Sequence, residues 1–130
     1  MLAAVAAYYS LADLLRDSDV THYIDNSSAV AALVKGYSSK PDSARIVHAL
    51  WALMAGISCS PWFSYVRTKA NVADFPSRGD VTYVRDILGG KETEFKMPPF
   101  SMWSSVHQAL EVVARLSPAE QSAHKRRRRR

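Results

Sequence analysis

With 130 residues, of which 48% are hydrophobic and 22% charged, the chain has material for one domain with a modest core and is no low-complexity or fibrous protein. Its formal charge of +5 is concentrated in the last six residues; the rest holds eleven basic against twelve acidic side chains, which excludes a broad basic face on the folded part. The single cysteine, Cys59, excludes an intrachain disulfide framework, and its small and apolar neighbours mark it as a reduced packing residue.

The first fifteen residues are apolar but have no basic leader. Asp13 and Arg16 interrupt the run before it could span a bilayer, so neither a signal peptide nor a membrane partner is expected. Leu2, Val5, Ala6, Tyr9, Ala12 and Leu14 or Leu15 recur at three- and four-residue intervals, which predicts one helix with a wide core-facing stripe. From Thr21 to Lys35 a strand ends on Asp25 and turns at once into a helix, capped by Asn26 or Ser27, with Ala29, Val30, Leu33 and Val34 apolar. A carboxylate at the carboxyl end of a strand is a site candidate, because ligands gather at that edge of open α/β sheets. Gly36 ends this helix and Pro41-Asp42 starts the next, over about residues 42–57. Its inward residues are Ile46, Val47, Leu50, Leu53 and Met54, flanked by Trp51, with Arg45 and His48 near the polar edge. Lys35, Lys40 and Arg45 are open to two readings, a nucleic-acid backbone contact or a solvated face.

A second strand over residues 62–67 alternates Trp62, Ser64 and Val66 with Phe63, Tyr65 and Arg67, and aromatics on both sides predict burial between two layers. Asn71 and Asp74 are three apart, so on a short helix they would share a side. Asn71 would then hold substrate or orient Asp74, or else merely cap the helix. Residues 80–88 can form another short helix, Gly89 through Pro99 a loop, and Ser101–Leu116 an amphipathic helix with Trp103, Val106, Ala109 or Leu110, and Val113 on one stripe. That helix either joins the core or docks another chain. From Pro118 the chain is polar and is expected to be disordered. It ends in Lys125, Arg126, Arg127, Arg128, Arg129 and Arg130, a run that binds phosphates through counterion release or serves as a nuclear-import signal, unless it has no selected role. An intracellular location follows, with the nucleus as one destination.

The Tyr-Ile-Asp-Asn-Ser-Ser-Ala segment at residues 23–29, the charged helix after it, and Asn-Val-Ala-Asp-Phe-Pro-Ser-Arg at residues 71–78 resemble the second half of the ribonuclease H-like domain of retroelement reverse transcriptases. The resemblance covers roughly residues 1–80. It implies an incomplete α/β fold: a small parallel sheet flanked by helices, with the first strands missing. A helical extension over 81–117 and a basic tail over 118–130 complete the expected layout. It further implies that Asp25 and Asp74 are two of four acidic ligands for two magnesium ions, and that Asn26, Lys69, Asn71 and Arg78 meet the substrate. The carriers of the other two ligands, a strand Asp and a helix Glu, have no counterpart here. Asp13, Asp17 and Asp19 lie toward the far end of the first helix or beyond it, and read as solvated charges. The complete domain would cut the RNA of an RNA–DNA hybrid; this chain is expected to hold magnesium weakly or not at all and to need an upstream polymerase region or self-association. The second reading is a non-catalytic nucleic-acid-binding or scaffold module.

Overall fold

The computed structural model describes residues 1–116; the predicted tail at 118–130 lies outside them. The fold is α/β, with two parallel strands and helices stacked against them. Among the described residues no helix is long and apolar enough to cross a membrane.

The amino-terminal helix is shorter than its apolar periodicity predicts. Helix α1 spans Leu2–Ser10, and Leu11, at φ −103°, turns the chain into a four-residue second piece, α2, Ala12–Leu15. The buried residues are Val5, Ala6, Tyr8 and Ala12; Tyr8 is inside, Tyr9 is only partly buried against the core, and Leu14 points to solvent. Strand β1, Asp19–Ile24, follows, and helix α3, Ser27–Lys35, begins where Asn26 Oδ1 accepts the Ala29 amide at 2.9 Å. Gly36 ends α3 at φ +68°, a left-handed conformation that costs glycine little and other residues more. Pro41 opens helix α4, Pro41–Gly56, in the first turn, where a missing N–H leaves no bond unmade.

Helix α4 is the centre of the molecule. Val47, Ala49, Leu50, Leu53 and Met54 are buried, and α1, strand β2 (Ser60–Tyr65) and the carboxy-terminal helices all pack on it. The Trp51 indole N–H donates to the Leu33 carbonyl at 2.9 Å, tying α4 to the end of α3. At the other end, Gly56 lies so close to helix α7 (Val106–Ala114) that a Cβ there would sit 1.7 Å from a Val113 methyl. Gly56→Ala is therefore expected to destabilise the fold by about 1–3 kcal/mol, since the two helices must separate to admit a methyl group. Urea melts should show that loss and its partial recovery in Gly56→Ala/Val113→Ala; an unchanged midpoint in the single variant would contradict the close approach.

The carboxy-terminal amphipathic stretch joins this core as two helices. Ser105 is extended, and its hydroxyl accepts the Gln108 amide at 3.1 Å, so it caps α7 and separates it from α6, Ser101–Ser104. A serine offered this local bond starts a new helix in preference to continuing the old one. Met102, Ala109, Val112 and Val113 belong to the same hydrophobic cluster as Leu50 and Leu53, so core packing decides between the two readings of this segment.

Strands β1 and β2 run parallel, with Asp19 opposite Ser60 and Ile24 opposite Tyr65. His22 and Phe63 pair on the inner face, 5.8 Å between ring centroids, where Tyr8 and Trp51 meet them at 5.6 and 6.0 Å. Among the described residues nothing covers the outer face. Trp62 is 72% exposed and Tyr23 60%, which corrects the expectation of a strand buried between two layers. The reason is topological: α3 and α4 form one crossover and cover one side, and α1, α6 and α7 pack on α4.

Candidate carboxylate site at the sheet edge

Asp25 is the first residue beyond β1, half-buried, at the step from strand to helix. The ladder continues one bond past the strands, from the Val66 amide to the Ile24 carbonyl at 3.0 Å, so β2 also leaves the sheet beside this point. Asn26, expected to meet substrate, spends its side-chain oxygen on capping α3. The following segment is a three-residue 3₁₀ turn, Thr68–Ala70, and a four-residue helix α5, Asp74–Ser77.

Asn71 is not on a common helix with Asp74, as their spacing predicts; it lies between the turn and α5. Its Oδ1 accepts the Ala73 amide at 3.2 Å and its carbonyl accepts the Asp74 amide at 3.0 Å, so it shapes the turn that presents Asp74. The Asp74 carboxylate meets the Arg78 guanidinium at 3.0 Å. Two residues assigned separate roles by the resemblance are therefore partners, and the one expected to touch substrate neutralises the one expected to hold metal. Lys69 is exposed and carries no ion pair among the described residues.

Asp25 thus directly follows the carboxyl end of β1, where open α/β sheets collect ligands, while Asp74 follows β2 in sequence only after the 3₁₀ turn. Among the described residues, however, no three His, Cys, Asp or Glu side chains converge as a metal group. Magnesium keeps most of its water unless several oxygens replace it, so this donor set does not fit a pair of ions. A cavity of about 560 Å³ lies between Leu2, Arg45, Ile46, Phe100 and Trp103, but neither Asp25 nor Asp74 lines it.

His22 and Tyr8 escape a motif-based reading, although the alternation of β1 places His22 inward with Val20 and Ile24. The Tyr8 hydroxyl and His22 Nδ1 are both buried without a hydrogen-bond partner. Burial, with a smaller part from the Cys59 thiol, pushes Tyr8 up to about 12. Burial, and then the Met1 ammonium, holds His22 below its ordinary 6.5. Because the unfolded chain takes up this proton first, stability is full above about pH 6.5 and falls as the pH drops from there to the folded value. Urea melts between pH 7.5 and 5 should show the decline, and His22→Phe should flatten it; an identical slope in that variant would exonerate His22. Cys59 is buried, and desolvation first and Asp19 second raise its thiol, leaving an inert packing residue.

No protein-family model, no curated protein and no solved structure matches this chain.

Proposed function

We propose that the chain supplies the Asp25 and Asp74 part of a ribonuclease H-like centre for hydrolysing the RNA strand of an RNA–DNA hybrid, and that it is inactive alone. The observation that supports this reading is the parallel pairing of β1 and β2, the two strands that precede Asp25 and Asp74 in the chain order of the resembling domain. Asp25 would contribute a fixed negative charge at the edge. Asp74 would have to leave Arg78 before it could bind a magnesium ion, and the remaining oxygens would come from other segments and substrate phosphates. The outer edge of β1 has no strand partner among the described residues, and an upstream segment or a second copy would pair there.

A non-catalytic nucleic-acid-binding module is the alternative, favoured by the Asp74–Arg78 ion pair and by the exposed Arg67 and Lys69. The test is to translate the genomic DNA before Met1 and express the joined chain. An Asp-bearing strand and a Glu-bearing helix there, with hybrid cleavage abolished by Asp25→Asn and by Asp74→Asn, would establish the enzyme reading. Salt-dependent binding with no cleavage in the joined chain would establish the binding module.

A further inference from the structure

The uncovered face of the sheet has an unusual composition for a parallel pair. Parallel strands buried on both sides read as near-continuous Val, Ile and Leu runs, because each side meets a layer of helices. The outward residues of β1 are Asp19, Thr21 and Tyr23, and those of β2 are Ser60, Trp62 and Ser64. No aliphatic side chain stands among them. A second layer of protein would find two aromatic rings set among hydroxyls and one carboxylate, a poor match for an aliphatic helix stripe.

The same composition suits a flat, polar-edged ring. Trp62 stands opposite Thr21, and Tyr23 opposite Ser64, so the two aromatic residues are diagonal neighbours across the pair. Strand spacing and rise place their backbone positions roughly 8 Å apart, room for two neighbouring bases. Each ring has a hydroxyl directly across from it, Thr21 for Trp62 and Ser64 for Tyr23, within reach of a base edge. Beyond β2 the chain carries Arg67 and Lys69, both exposed and without an ion pair among the described residues, at the same end as the single half-buried carboxylate of Asp25, while the opposite end of the face bears Asp19. Cations at one end and aromatic faces in the middle are the combination that holds an unpaired nucleic-acid strand, phosphates on the first and bases on the second.

From this face we infer that Trp62 and Tyr23 form a stacking platform for two bases of single-stranded nucleic acid. The platform is a surface of the sheet and does not rest on the Asp25 and Asp74 reading. The affinity it adds is sequence-tolerant, since every base has a stacking face.

The experiment uses the full chain and fluorescence anisotropy with a short labelled oligothymidine and an abasic strand of the same phosphate number, both at fixed salt. Any phosphate contact made by the basic tail is common to both strands, so the difference between them reads base stacking. Oligothymidine is expected to bind at least roughly fivefold tighter than the abasic strand. Trp62→Ala should erase most of that difference, Tyr23→Ala part of it, and Trp62→Phe should keep it. Leu14→Ala, at an exposed side chain on α2 and away from this face, should leave it unchanged. Equal affinity for the two strands would overturn it, as would an advantage that survives both alanine substitutions in folded protein. Sedimentation supplies a second overturning result: a dimer that Trp62→Ala dissolves would mean that the face seats another copy of the chain.

Discussion

Incubated with a labelled RNA–DNA hybrid in magnesium or manganese, the purified chain is expected to leave the RNA strand intact. The reason is a count of ligands. Two ions held side by side need several carboxylates to offset their repulsion, and among the described residues no three metal-capable side chains meet. Asp25 stands at the carboxyl end of β1, and Asp74, on the short helix α5, is within 3.0 Å of the Arg78 guanidinium. A cation approaching it must displace or tolerate that positive charge. Asp25→Asn and Asp74→Asn are the controls. Metal-dependent cleavage abolished by both would show that the chain, as a monomer or a dimer, completes its own centre; cleavage indifferent to both would point to a contaminating nuclease.

Leu50→Ala is expected to cost about 2–5 kcal/mol, a large part of the roughly 5–15 kcal/mol that holds a domain of this size together. Leu50 is fully buried in the middle of α4, the helix on which α1, β2 and α7 converge. Truncating it removes contacts to several elements at once, and helices pinned by Trp51 and by the Gly56–Val113 contact cannot collapse freely into the space. Leu14→Ala, at a side chain 73% exposed, is the comparison and should stay within about 0.5 kcal/mol of the parent. Denaturant melts followed by circular dichroism decide the matter; equal midpoints for the two variants would remove α4 from the centre of the core.

The self-association expected from the open edge of β1 is distinct from any contact on the outer face. Edge pairing uses backbone N–H and C=O groups and would survive Trp62→Ala. A charged or proline substitution in β1, such as Thr21→Pro, would address the edge instead.

Where a residue's role depends on its near neighbours along the chain, the sequence alone was sufficient. Asn26 as a cap, Gly36 as a stop, Pro41 as a start, and Asp25 at the end of a strand all follow from hydrogen bonds and backbone angles within a few residues. Ser105 carries an equally local signal, a cap hydroxyl, which the long apolar periodicity on both sides obscures. Tyr8 against Tyr9 is different, because both meet the core and only the docking of α1 makes Tyr8, beside His22, the fully buried ring. The bare side of the sheet, the approach of Gly56 to Val113 and the packing of His22 between Tyr8 and Phe63 join residues far apart in sequence. Periodicity says that a side chain is apolar and which way it repeats. It does not say which surface arrives to meet it, and here only the one-sided crossover from β1 to β2 decided that Phe63 is covered and Trp62 is not.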